Sequence, residues 1–130
     1  MDEILRLQRH EDLSMMELDV LNKLFDSEYF SDYGRWNPDA PYGYSPADFH
    51  VLAFQGPTLA AHVGFQRRVI SVGTNDVVVA GTGGVLVDQR FRGTGLGGRA
   101  MRHAQKAMRD EAGVDFGGSP WFVVKAGFVS

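Results

Sequence analysis

The chain has 130 residues, 44% of them apolar and 22% charged, so one ordinary folded domain (residues 1–130) is expected and a disordered chain is excluded. It has no cysteine, which excludes disulfide scaffolds, zinc ribbons, thiol nucleophiles and Fe–S ligation together. The net charge of −3 is unevenly spread: residues 1–48 hold 11 acids and 4 bases, and residues 49–130 hold 5 acids and 9 bases. That split argues against a uniformly basic nucleic-acid surface and for an anion-binding half beside a cation-attracting half. No run of 18 apolar residues marks a membrane span, and the acidic start Met1-Asp2-Glu3 lacks the basic and apolar regions of a signal peptide. A cytoplasmic protein is expected. Glycine is the compositional outlier at 16 residues, against a usual share of about 7%.

Taken in chain order, Ile4 to Gln8 alternates weakly and predicts a short strand. Leu13, Met16, Val20, Leu21, Leu24 and Phe25 recur at three- and four-residue intervals, the pattern of an amphipathic helix capped by Asp12 or Ser14. Residues 29–48 crowd Tyr29, Phe30, Tyr33, Trp36, Tyr42 and Tyr44 among Pro38, Pro41, Pro46, Gly34 and Gly43, which reads as a long aromatic loop with room for one short helix. From Phe49 the period becomes two. Phe49–Gln55, Leu59–Val72 and Val77–Val87 predict an antiparallel meander joined by turns at Gly56-Pro57 and Gly73-Thr74-Asn75-Asp76. Gly81, Gly83 and Gly84 interrupt the third of these strands, as glycines do at a bulge or a close approach of ligand. A polar turn over 88–98 leads into a helix to about Glu111, with Leu96, Ala100, His103, Ala104, Ala107 and Met108 on one side and Gly113 as its cap. Val114–Gly117 predicts a last short strand. The order indicates a mixed sheet with flanking helices, an α/β (α+β) domain.

The chemistry concentrates in one segment. The strand ending Val85-Leu86-Val87 runs into Asp88-Gln89-Arg90-Phe91-Arg92-Gly93-Thr94-Gly95-Leu96-Gly97-Gly98-Arg99, which opens a helix. Backbone N–H groups can converge on an anion across such glycines, and the helix N-terminus adds orphan donors. Arg90, Arg92, Arg99 and Arg102 add charge, so several phosphates are the natural ligand. Gly93-x-Gly95-x-x-Gly98 also fits a dinucleotide fingerprint, with Asp115 downstream. Context opposes that match: five residues separate Val87 from Gly93, and a meander precedes the motif where a βαβ unit should begin.

Arg90-x-x-Gly93-x-Gly95, followed by Leu96-Gly97 and a helix, resembles the GNAT superfamily of N-acyltransferases. Lys125-Ala126-Gly127-Phe128 is similar to the ending of many members. Within the superfamily, Ala60-Ala61-His62-Val63-Gly64-Phe65 and the residues after it resemble the aminoglycoside 2′-N-acetyltransferases and the nodulation N-acyltransferases, which acylate a chito-oligosaccharide amine. The resemblance implies acyl transfer, most simply acetyl, from acetyl-CoA or another acyl-CoA to a small, cationic amine acceptor by direct attack. It implies a turn (Arg90, Arg92, Gly93, Thr94, Gly95, Leu96, Gly97 and Gly98) holding the pyrophosphate, and Val85, Leu86 and Val87 holding pantetheine. A backbone N–H near Val85 would stabilise the oxyanion. No metal is implied. The alternative is a non-catalytic acyl-CoA-binding module.

The proton-transfer residues depart from the family pattern. Gly81 to Gly84 occupy the region where many members carry a glutamate base, and Val123 stands where many carry a tyrosine acid. His62 is the candidate base, weighed against a strand histidine that is simply hydrogen-bonded to backbone. His50 and His103 have no evident partner. Of Arg67 and Arg68, only one can face a site. Asp32, Tyr33 and Trp36 of the aromatic, acidic loop are the candidate acceptor-binding residues. Against the GNAT pattern the chain looks short after Gly118, which suggests a truncated chain or a homodimer covering the exposed edge, with no nucleic-acid or membrane partner.

Overall fold

The computed structural model describes residues 3–110. It has four strands, β1 (Glu3–Arg9), β2 (Phe49–Gln55), β3 (Thr58–Val72) and β4 (Asn75–Val87), and two helices, α1 (Met15–Tyr33) and α2 (Leu96–Asp110). The strands form one sheet in the order β1-β2-β3-β4, each neighbour pair antiparallel. The meander read from period-two alternation is present with its two tight turns. The proposed strand at Val114–Gly117, the cap at Gly113 and the Lys125–Phe128 ending lie outside the described residues.

Alternation along the strands builds two cores. Phe49, Val51, Ala53, Val63, Phe65 and Ala80 pack with Leu96, Ala100, Ala104, Ala107 and Met108 of α2. Leu52, Phe54, Leu59 and Leu86 pack with Leu21, Leu24 and Phe25 of α1 and with Trp36. Two irregularities interrupt the ladder. Between β2 and β3, Ala53 faces Ala61 while Phe54 faces Leu59, which leaves Ala60 as the extra residue; its carbonyl accepts from the Asp88 N–H at 2.8 Å and so places the start of the 88–98 turn. Between β3 and β4, His62 faces Leu86 but Gly64 faces Gly83. The ladder therefore passes over Gly84 and Val85, a bulge that Gly84 permits with φ of +60°.

Helix α1 differs from the expectation in two respects. It continues to Tyr33, so Tyr29, Phe30 and Tyr33 belong to a helix rather than a loop. No proline or glycine stands before Gly34, which ends the helix at φ +80° with its N–H on the Phe30 carbonyl. Its first turn also buries Glu17 at 2% exposure while Met16 faces solvent. Ser14 caps the helix through a reciprocal capping box with Glu17, whose carboxylate also accepts from Arg6 and Gln8. Burial alone would raise the Glu17 pKa, but these hydrogen bonds from Ser14, Gln8 and Arg6 together hold it below the ordinary 4.5.

Candidate functional site

The turn after β4 forms as the motif predicts. Asp88 caps a 3-10 turn over Gln89–Phe91. Gly93 and Gly95 both take φ of +82°, a backbone that L side chains rarely adopt. Helix α2 then starts at Leu96, whose side chain is buried in the core, so any role it has toward an anion is through its backbone. A Cβ on Gly93 would meet nothing within 4 Å, whereas on Gly97 it would press on Val87 at 3.2 Å. Gly93 thus borders open space, and Gly97 serves helix–strand packing. The arginines are pre-oriented by carboxylates. Arg90 forks onto Asp88 at 3.1 and 3.0 Å, which holds the Asp88 carboxyl below its usual range. Arg92 bridges Glu28 of α1 at 2.8 Å and the Val87 carbonyl at 3.1 Å. Arg99 forks onto Glu3 and reaches the Thr94 carbonyl at 2.9 Å.

One turn of strand away, the β4 bulge meets a chain of three imidazoles. His62 Nδ1 lies 2.7 Å from the Gly84 carbonyl, His62 Nε2 lies 2.7 Å from His50 Nδ1, and His50 Nε2 lies 2.9 Å from His10 Nδ1. His10 Nε2 faces Asp39 at 3.3 Å. Chemistry fixes the direction of these bonds. A carbonyl oxygen only accepts, so His62 Nδ1 carries its hydrogen and the bare Nε2 accepts from His50 Nδ1; the same step repeats to His10. His10 Nδ1 thus donates to His50, and its Nε2 faces the Asp39 carboxylate at the outer end of the series. Burial favours the neutral rings: it lowers the His62 pKa to about 4, and burial with the neighbouring histidines lowers that of His50 further. His62 is 3% exposed, with both ring nitrogens engaged by the Gly84 carbonyl and His50. The relay was not visible in the sequence, where His50 had no partner. Among the described residues no group of His, Asp and Glu is arranged to hold a metal; the imidazoles run head to tail instead of converging.

Above the bulge lies a cavity of about 1030 Å³, lined by the aromatic residues Phe25, Tyr29, Tyr33, Trp36, Tyr42 and Tyr44 and floored by Gly81 to Gly84 with His50 and His62. Phe25 stacks on Trp36 with centroids 5.2 Å apart and sets its edge against His62. The proposed acceptor residues separate here. Tyr33 and Trp36 line the cavity, while Asp32 is exposed and outside its wall. The other acids of the loop are engaged in structure: Asp26 accepts from the Trp36 N–H, Glu28 binds Arg92, Asp39 faces His10 and Asp48 accepts from the Arg67 N–H. Of the arginine pair, Arg68 lines the cavity. Two buried hydroxyls, of Tyr42 and Thr82, have no hydrogen-bond partner among the described residues, and desolvation, with Asp26 and Tyr29 nearby, raises the Tyr42 pKa to about 12.

Comparison with known proteins agrees with this geometry. A crystal structure of an acyl-CoA N-acyltransferase from Pseudomonas aeruginosa superposes with a TM-score of 0.59 at 21% identity, over 83% of this chain and 71% of that one. A GNAT family acetyltransferase from Brucella melitensis, solved with acetyl-CoA, gives 0.55 at 20% identity over 87% and 71%. An aminoglycoside acetyltransferase from an uncultured soil metagenomic sample, solved with sisomicin, gives 0.61 at 12% identity over 84% and 71%. No curated protein sequence matches the chain. No helix among the described residues is long and apolar enough to cross a membrane. The family model of nodulation protein A (NodA) matches residues 4–121, and with a GNAT-like fold around a glycine-rich turn, a strand bulge and an aromatic cavity, the chain is an acyltransferase that belongs to the NodA family.

Proposed function

We propose that the protein moves an acyl group from a coenzyme A thioester, a substrate rather than a resident cofactor, to the amine of an amino sugar. The observation that carries this reading is the adjacency of three parts: the 88–98 turn, the β4 bulge and the aromatic cavity that opens on it. Gly93, Thr94 and Gly95 with the first N–H groups of α2 would receive the pyrophosphate, with Arg90 and Arg92 at the rim. Val85 to Val87 would take pantetheine, on a strand whose outer side has no partner strand among the described residues. The Val85 N–H, passed over by the ladder, would donate to the thioester oxygen as negative charge develops there.

The acceptor chemistry follows from the cavity wall. Its aromatic and proline faces suit the apolar face of a sugar ring. It carries Arg68 and neutral imidazoles, and no carboxylate among the described residues lines it. Such a wall favours an amine that is neutral at working pH, and an amine beside electronegative ring carbons is more easily deprotonated than an alkylamine. The neutral amine attacks the thioester carbon, the C–N bond forms, the C–S bond breaks, and the one proton shed by the nitrogen balances the one taken by the leaving thiolate. No enzyme nucleophile is required; proximity supplies much of the rate.

The test is free-thiol release from acetyl-CoA and longer acyl-CoAs with amino sugars, chitosan oligomers, aminoglycosides and polyamines. Turnover with amino sugars above that with polyamines is expected. Thiol release with none of them, despite acyl-CoA binding, would favour the non-catalytic module. Gly95→Trp should abolish acyl-CoA binding, because the +82° backbone is lost and the side chain fills the turn. Arg90→Glu, on an exposed side chain, should weaken binding without unfolding the protein. Unchanged affinity in both variants would remove the turn as the phosphate site.

A further inference from the structure

The bulge peptide between Gly84 and Val85 is the element on which the proposed oxyanion donor depends, and its own orientation needs an explanation. Gly84 has no side chain, is exposed, and lies at φ +60° outside the ladder. A peptide plane next to such a glycine can rotate at little steric cost. Its two faces are opposite in chemistry. In a trans peptide the C=O and the following N–H point in opposite directions, so one orientation offers an N–H to a ligand and the other offers a carbonyl oxygen. Only the first can stabilise a developing anion.

We propose that His62 is a positioning residue that selects the first orientation: its Nδ1–H holds the Gly84 carbonyl toward β3, which turns the Val85 N–H away toward the side of β4 that has no partner strand among the described residues, and the His10–His50 relay ending on Asp39 sets the tautomer that makes this possible. This rests on the acyl-transfer reading for the use of the Val85 N–H, but not for its orientation. The tautomer is decisive. Were His62 protonated on Nε2 instead, its bare Nδ1 would face the Gly84 oxygen lone pair to lone pair and would favour the flipped peptide. His50 prevents that by donating to Nε2, and His10 in turn holds His50. Asp39, 3.3 Å from His10 Nε2, closes the outer end of the series. The groups facing His62 are the His50 ring from β2, the Gly84 carbonyl from β4 and the Phe25 ring from α1.

The room for this arrangement comes from glycine. A Cβ on Gly64 would approach the Gly83 carbonyl at 3.0 Å and His62 Cε1 at 3.3 Å, and one on Gly84 would approach Phe25 and the same imidazole at 3.3 and 3.4 Å. The glycines that stand in place of a family glutamate therefore leave space for an imidazole contact.

Two measurements test the assignment. Nitrogen-detected NMR of the imidazoles at neutral pH should show His62 and His50 as Nδ1–H tautomers; an Nε2–H tautomer at His62 overturns the proposal whether or not the protein is active. In kinetics, His62→Ala should lower kcat about tenfold to a hundredfold, a part of the loss expected for removing an oxyanion donor, with KM for both substrates little changed. His62→Asn, whose side-chain amide can donate from the Nδ1 position, should recover most of that loss and keep the shape of the pH–rate profile. Equal impairment of the two variants, or loss of a limb of the pH profile in His62→Asn, overturns the positioning role in favour of scaffold or base. If His62→Ala does not fold, the wild-type tautomer and the Asn variant decide. If the wild-type protein transfers no acyl group, the acyl-transfer reading fails, and the NMR result alone judges the anchoring.

Discussion

At the residue scale, the unusual positions are polar groups placed where apolar ones would be expected. Thr82 is 1% exposed, lies on β4 at the cavity floor, and its hydroxyl has no partner among the described residues. An unsatisfied buried hydroxyl costs about 1–3 kcal/mol. Thr82→Val keeps the β-branched shape and removes that cost, so it should raise the unfolding free energy by about 1 kcal/mol and the melting temperature by a few degrees. If the hydroxyl serves the acceptor, KM for the acceptor rises in the same variant. A fall in stability would show that the hydroxyl is already bonded. Single residues such as these were the least legible in the sequence. The glycines, arginines and His62 stood out by type and spacing. The relay did not, because His10, His50 and His62 meet only when β1, β2 and β3 pair in one register, and register is set by the whole sheet.

At the scale of elements, the strands were readable and the ends of α1 were not. Alternate residues of β2 enter two different cores, Phe49, Val51 and Ala53 on one face and Leu52 and Phe54 on the other, and the turns at Gly56 and Gly73 sit at φ near +60°, where glycine was needed. The start of α1 was obscured because its first buried residue is charged. Glu17 serves the cap and two further donors, Arg6 and Gln8, at once, so apolar periodicity points to Met16 instead. Ser14→Ala should cost about 1 kcal/mol by loss of the cap, measured by urea unfolding, and no change would mean that Arg6 and Gln8 alone hold the carboxylate. The sign of the pH effect follows from the depressed Glu17 pKa. Its contribution is fully present above its ordinary value of 4.5 and is lost as the pH falls through the lower folded value. Glu17→Gln should therefore be less stable than wild type at neutral pH, with the difference shrinking in acid.

At the scale of the molecule, the charge division noted in the sequence is used in two ways. The basic half carries the glycine-rich 88–98 turn, while several acids of the first half pair with the protein's own donors: Glu28 and Glu3 tie Arg92 and Arg99, and Asp39 terminates the imidazole relay. Composition could locate the charges and not their partners. The relay also makes global stability depend on pH. Unfolded, His50 and His62 titrate near 6.5; folded, burial keeps His62 neutral down to about pH 4 and His50 lower still. Between those limits the unfolded chain binds more protons, so stability falls as the pH falls, by up to about 1.4 kcal/mol per pH unit for each imidazole. Urea midpoints should be level above pH 7.5, decline from about pH 6.5 and continue declining to about pH 4, before the Glu17 contribution is lost. The double variant His50→Gln/His62→Asn removes both titrating rings while retaining amide hydrogen bonds, so its midpoints should be flat over the same range. A wild-type midpoint that holds steady between pH 7 and 5 would mean that the two rings exchange protons with solvent in the folded state, and the buried relay would not persist in solution.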